Sequence, residues 1–152
     1  MKIYLATDHA GLELKESVKK YLIDQSFEVE DCGAYSLDPN DDYPDIISRA
    51  AENVSQNSEK DFAIIFGKSG AGEEIVANKF KNVRCVLGFS EENVRLSREH
   101  NNANILSFGS QFIDEALARR LVEIFLKTSF SGDGRHVRRL DKIKEIEHKN
   151  YA

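Results

Sequence analysis

The chain has 152 residues, 41% hydrophobic and 31% charged, with 21 Lys+Arg against 26 Asp+Glu for a net charge of −5. That length suits one domain with a sizeable core, and the composition is that of a soluble globular protein rather than a disordered one. No apolar run approaches the roughly 18–20 residues of a membrane span, Met1 to Asp8 turns polar too soon for a signal peptide, and Cys32 and Cys85, without metal-ligand spacing, point to a reducing cytoplasm.

The opening run Lys2–Thr7 is rich in strand formers, and Gly11 to Ser26 then sets Leu14, Val18, Tyr21 and Leu22 at helical spacing. Phe27–Asp31 alternates as a short strand. A polar loop follows from Cys32 to Tyr43, and Pro44 suits the first turn of a helix that buries Ile46, Ile47, Ala50, Ala51 and Val54. Asp61–Phe66 is almost continuously apolar, as a parallel strand covered on both faces must be. The glycine-rich turn Gly67-Lys-Ser-Gly-Ala-Gly72 comes next, then a helix through Phe80. Val83–Gly88 reads as a fourth strand, Glu91–Glu99 as a helix, Asn104–Phe108 as a fifth strand and Asp114–Lys127 as a long amphipathic helix. Beyond Gly132-Asp-Gly134 a last helix carries Leu140, Ile143 and Ile146.

Five strands alternating with helices predict an α/β fold with a parallel sheet and right-handed crossovers. Ligands of such folds bind beyond the carboxyl ends of the strands. Asp8 and His9 follow the first strand and the glycine loop follows the third, so both reach that edge. His100 lies in a loop that feeds into the fifth strand, which puts it at the opposite edge. For His100 to join the same site, a second subunit must supply it, in a two-fold dimer with shared sites.

Four groups of residues offer chemistry. The glycine loop presents backbone N–H groups to an anion and is neither a Walker A loop nor a dinucleotide fingerprint; it also reads as a turn that merely needs glycine. Glu73 and Glu74 follow it, where the helix dipole favours an ionised carboxylate of the kind a general base requires. Asp8-His9-Ala10-Gly11 fits a polar pair at a strand exit or a plain helix cap. His100-Asn-Asn-Ala-Asn104 fits a polyol-binding cluster or a solvated loop. Arg135 and Arg139, four apart on one helical face, can converge on a phosphate or form a solvated basic face. From Arg135 onward six Lys+Arg face three acids, an excess of +3, so the rest of the chain carries −8 and argues against a nucleic-acid partner.

Taken together and in order, Thr7-Asp-His-Ala-Gly11, Asp42-Tyr-Pro-Asp45, Gly67-x-Ser-Gly-x-Gly-Glu73 with Ala77-Asn-Lys79, His100-Asn-x-x-Asn104 and Gly134-Arg-His-x-x-Arg139 resemble the type B ribose-5-phosphate isomerases. These belong with the bacterial galactose-6-phosphate isomerase subunits in one sugar-phosphate isomerase family, and the resemblance spans about residues 2 to 143. It implies a Rossmann-like three-layer fold with a five-stranded parallel sheet and a C-terminal helical extension. It implies a single domain over residues 1–152 whose tail, from about residue 128, packs on the partner subunit. It further implies a homodimer or dimer of dimers with shared active sites, and no metal or cofactor.

The implied reaction interconverts ribose 5-phosphate and ribulose 5-phosphate through a cis-enediolate. Galactose or allose 6-phosphate is the alternative substrate, and a non-catalytic sugar-phosphate binder the alternative class. By the resemblance, His100 opens the sugar ring with Asp8 as its polar partner. Ser69 and the N–H groups of Gly70, Ala71 and Gly72 hold the developing oxyanion. His9, Arg135 and Arg139 bind phosphate, Asn101 contacts the sugar, and Tyr43 lines the site. One branch of the family uses a cysteine at the position of Gly67 as the base; the other uses a glutamate after the last loop glycine, which Glu73 matches, while Cys85 is expected mid-strand and inert. Two positions depart from the family: Lys68 replaces a usual glycine, and Gln111 replaces a phosphate-binding arginine of many members. Both are kept as expected substrate contacts.

Overall fold

The structure, a computed structural model, describes residues 1–151; Ala152, the last residue of the expected tail, lies outside the described residues. The elements run β1 (Lys2–Thr7), α1 (Leu12–Asp24), β2 (Glu28–Asp31), α2 (Tyr43–Gln56), β3 (Phe62–Gly67), α3 (Ala71–Ala77), β4 (Cys85–Leu87), α4 (Glu91–Asn101), β5 (Ile105–Gly109), α5 (Glu115–Lys127) and α6 (Gly134–Asn150). The strands form one parallel sheet in the order β2-β1-β3-β5-β4. This is the three-layer α/β architecture expected.

The two-residue period of the strands divides the core. Ile3, Leu5, Ile64, Phe66, Leu106 and Phe108 point to the face covered by α1, α4 and α5, where Val18, Val94 and Phe125 meet them. Tyr4, Ala6, Ala63, Ile65 and Ile105 point to the other face, under Ile47, Ala50, Ala51 and Val54 of α2 and Ala77 of α3. Each fully buried Ile, Leu or Phe contributes about 1.5–3 kcal/mol. The inner strands are therefore apolar throughout, whereas edge strand β2 leaves Glu28 and Glu30 exposed.

Several boundaries differ from expectation. Helix α3 stops at Ala77 rather than Phe80 because the Asn78 side chain turns to β4: its Nδ2 donates to the Cys85 carbonyl and its Oδ1 accepts from the Cys85 N–H, both at 2.9 Å. Past that point the chain tightens into turns bonded from Lys79 N–H to Val76 and from Phe80 N–H to Ala77. Strand β4 is correspondingly short, and Cys85 begins it instead of standing mid-strand.

From β1 the chain first steps outward to β2, then returns across to β3 on the other side of β1. The crevice beyond the carboxyl ends of β1 and β3 is thus the point where strand order reverses. The terminal helix α6 lies outside the layers. It is approached through Ser131, whose N–H donates to the Glu99 carbonyl, and Asn82 N–H donates to Glu147 near its far end. Its residues Val137, Ile143 and Ile146 stay 40%, 47% and 59% exposed. Among the described residues, no helix is long and apolar enough to cross a membrane.

Candidate active site

The glycine loop leaves β3 with Gly67 and enters α3 at Ala71. Gly70 takes the left-handed conformation, φ +79°, and a β-carbon there would come within 2.8 Å of the Phe108 backbone, so only glycine lets the loop lie on β5. The Gly70 carbonyl accepts from the Ser107 hydroxyl at 2.8 Å, and the Ser110 and Gln111 N–H groups donate to the Gly67 and Lys68 carbonyls. The loop is held by its carbonyls. Ser69 and Lys68 remain exposed, with the Ser69 hydroxyl accepting from Ala71 N–H at 3.3 Å.

The two glutamates opening α3 have different tasks. Glu74 accepts from Leu87 N–H at 3.0 Å and ties the helix to β4. Glu73 is 4% exposed and turns the other way, over Gly67, where a β-carbon would sit 2.0 Å from its Oε1. Burial raises its carboxyl above the ordinary glutamate range, its own N–H draws it down, and the negative charge of Asp8 raises it again. The helix terminus therefore does not hold this group at low pKa as its position in sequence suggested; desolvation wins. Tyr43, the first residue of α2, lays its ring on the loop, with its hydroxyl 2.9 Å from where a Gly72 β-carbon would stand.

Asp8 is buried and accepts from Ala10 N–H at 3.0 Å, so this segment is a helix cap. His9 follows on a single 3-10 turn. Its Nδ1 lies 2.6 Å from Asp41 Oδ1, which also accepts from His9 N–H at 3.1 Å. The Asp41 bond lifts the imidazole above its ordinary range. Among the described residues, Asp8, His9 and Asp41 each bring one potential metal-ligand atom within 4.8 Å of the others. His9 already pairs with Asp41 through Oδ1, while the other Asp41 oxygen, Oδ2, is buried without a hydrogen-bond partner.

The remaining expected residues gather elsewhere. His100 is in the last turn of α4, not in a loop, and since α4 returns from the carboxyl edge of the sheet, it still lies at the opposite edge from Asp8 and Glu73. Within one chain Asp8 is therefore not the neighbour of His100. His136 is: the two rings lie 4.2 Å apart. His136 is 3% exposed, its Nδ1 is 2.9 Å from the Ser131 hydroxyl, and burial followed by the charges of His100 and Arg135 lowers its pKa. The neighbouring Arg135 and Arg139 of α6 are exposed.

Of the three amides near His100, two are structural. Asn102 caps α4 in the left-handed region and accepts from Arg98, and Asn104 holds Arg84 N–H and the Asn82 carbonyl. Only Asn101 is exposed, beside a cleft of about 650 Å³ between α6 and β4. Both thiols are buried, which pushes Cys32 up to about 11 and Cys85 well above its ordinary value and disfavours the reactive thiolate. Sequence reasoning missed Asp41 and His136. His136 stood inside a recognised motif, while nothing in the spacing of Asp41 marked it.

The sequence profile of the ribose/galactose isomerases matches residues 3–143. The chain is 40% identical over 152 residues to a ribose-5-phosphate isomerase B from Mycolicibacterium paratuberculosis, covering 100% of this chain and 95% of that protein. In structure it is similar to a ribose-5-phosphate isomerase B of Mycoplasma genitalium crystallised with bound ribulose 5-phosphate, with TM-score 0.94 and 41% identity over 97% of this chain and 96% of that one. The corresponding enzyme of Clostridium thermocellum matches with TM-score 0.92 and 39% identity over the full length of both chains. With its three-layer fold and a buried carboxylate beneath a glycine loop at the switch point, the chain belongs to the ribose/galactose isomerase family.

Proposed function

We propose that this isomerase interconverts ribose 5-phosphate and ribulose 5-phosphate, with Glu73 as the base. The observation that carries the reading is the Glu73 carboxylate, buried against Gly67 with its pKa raised, beside the glycine loop that exposes Ser69. A base tuned upward toward neutrality suits abstraction of a weakly acidic carbon-bound proton. Glu73 takes the C2 proton of the open-chain aldose. The C–H electron pair becomes the C1–C2 double bond, and the carbonyl pair moves onto O1, giving a cis-enediolate. The amides of Gly70 to Gly72 and the Ser69 hydroxyl hold that oxyanion with dipoles fixed beforehand. Glu73 then returns the proton to C1 while C2 becomes the carbonyl and the hydroxyl proton passes from O2 to O1.

His9 and, from a second subunit, Arg135 and Arg139 bind the phosphate, and that subunit's His100 opens the ring with Asn101 on the sugar. Two features support a shared site. His100 and α6 lie at the edge of the sheet opposite Glu73, and α6 leaves Val137, Ile143 and Ile146 uncovered for a partner. The functional unit is on this reading a homodimer or a dimer of dimers in the cytoplasm, where two buried free thiols stay reduced.

A six-carbon substrate is favoured only by the pairing of Lys68 with Gln111 at the loop. A coupled assay comparing kcat/KM on ribose 5-phosphate, galactose 6-phosphate and allose 6-phosphate separates the two. Loss of solvent exchange at C2 in the Glu73→Gln variant tests the base. A protein that binds sugar phosphates without any C2 exchange would overturn the catalytic reading.

A further inference from the structure

The loop from Cys32 to Asp42 is polar and mostly exposed, yet it is fastened at both ends. At its start the Thr7 N–H donates to the Gly33 carbonyl at 2.8 Å, Ala34 N–H donates to the Thr7 carbonyl at 2.7 Å, and the fully buried Lys15 ammonium donates to the Ala34 carbonyl at 2.7 Å. At its end the fastening is Asp41. One oxygen, Oδ1, accepts from both the N–H and the Nδ1 of His9. The Asp41 side chain is 12% exposed against 35% for the imidazole, so the carboxylate sits behind the ring and the ring faces outward.

Two bonds from one residue to one oxygen fix a ring in both position and plane. They also fix its protonation. A carboxylate 2.6 Å from Nδ1 requires a proton there, which leaves Nε2 as the free nitrogen. The other charged groups that act on the ring are Asp8, at the head of the 3-10 turn, and Asp38, in the same loop; both favour the cation. The sequence offered no reason to single out Asp41 among the acids of the loop.

We infer that Asp41 is a positioning residue for the phosphate subsite: its carboxylate holds His9 as an imidazolium with Nδ1 committed inward, so that Nε2–H meets the substrate phosphate as a charge-assisted donor. This rests on the reading of His9 as a phosphate ligand, and the experiment separates the two. An imidazolium–phosphate bond is about twice as strong as a neutral one, and without the carboxylate a histidine near its ordinary pKa of about 6.5 is largely neutral at pH 8. The sign follows from the raised pKa: the His9 charge is complete below the ordinary range and is lost only as pH rises through the raised value.

The test compares wild type, Asp41→Asn and His9→Gln as full-length enzymes on ribose 5-phosphate between pH 6 and pH 8.5. The His9 titration is followed by NMR of the imidazole nitrogens. Asparagine keeps the shape and an acceptor oxygen but removes the charge. In Asp41→Asn the His9 midpoint should fall, and the ratio of variant to wild-type KM should rise about tenfold at pH 8 and shrink toward pH 6, with kcat much less affected. His9→Gln should raise KM at both ends of the range. A purely structural Asp41 would instead shift thermal stability and change KM equally at all pH values, which overturns the inference. If His9→Gln raises KM while Asp41→Asn leaves the His9 midpoint where it was, the positioning role fails and the phosphate role stands. If His9→Gln leaves KM unchanged, both fail.

Discussion

Gly67 and Glu73 occupy one volume: a β-carbon on Gly67 would fall 2.0 Å from Oε1 and 2.1 Å from the carboxyl carbon of Glu73. Any side chain at the end of β3 therefore evicts the carboxylate. A side chain at this position and a buried Glu73 carboxylate are thus mutually exclusive. Gly67→Ala should fold, since β3 is otherwise undisturbed, but should lower kcat by on the order of 10²-fold through misplacement of the base. The readout is kcat beside an unchanged circular dichroism spectrum. A near-normal kcat would mean that the carboxylate works from elsewhere.

Glu73→Gln should lower kcat by at least about 10²-fold, the usual worth of a general base. The same substitution should stabilise the fold at neutral pH. Burial raises the folded-state pKa of Glu73, so the ionised carboxylate costs stability. That cost is absent below the ordinary glutamate pKa and develops as pH rises through the raised one. The Tm difference between Glu73→Gln and wild type should thus be positive at pH 8 and vanish near pH 4.

The opposite-edge placement of His100 predicts complementation. Glu73→Gln and His100→Ala are each expected to be nearly inactive. In a mixed dimer one of the two shared sites would hold an intact Glu73 and an intact His100. Refolding equal amounts together should restore roughly a quarter of wild-type activity per chain. No recovery, despite demonstrated subunit exchange, would place a complete site within one chain.

Lys68 is exposed, and its carbonyl accepts from Gln111 N–H at 3.0 Å, so a cation at either position reaches the same mouth of the site. If Lys68 supplies a charge that Gln111 lacks, Lys68→Gly should raise KM by about tenfold or more, a charge-assisted bond being worth about 1.5–3 kcal/mol. Gln111→Arg in the same chain should reverse most of that loss. Independent effects of the two substitutions would show that the positions are unlinked.

Lys15 is fully buried, with Asp31 at 2.6 Å and the Ala34 carbonyl as its partners, and Lys19 also donates to Asp31 at 2.8 Å. Burial alone would raise the Asp31 carboxyl; the bonds from Lys15, Lys19 and Gly33 N–H bring it below its ordinary range. Lys15→Met should cost less than the roughly 3–5 kcal/mol of a fully stranded buried carboxylate, because Lys19 and the Gly33 N–H still bond Asp31. In wild type, the stability due to Asp31 is present above the ordinary aspartate pKa and is lost as pH falls through the lowered one. Urea titrations at pH 7 and at pH 3 should show the mutational penalty shrinking in acid.

Periodicity determined the layers. The continuous apolar run of β3, the alternating β2 and the amphipathic helices state which faces are buried, and strand direction then puts Asp8 and the glycine loop at one edge and His100 at the other. The residue types in their order were enough to point to the family. What periodicity cannot carry is which of two adjacent polar groups turns inward, because that depends on neighbours distant in sequence. Packing against Leu87 and Gly67 divided Glu74 from Glu73 into a tie to β4 and a buried carboxylate over the glycine loop. Burial, not the helix terminus, set the direction of the Glu73 pKa. The same long-range contacts used Asn102 and Asn104 as structural bonds, seated His136 against His100, and closed Asp41 behind His9 across 32 residues of chain.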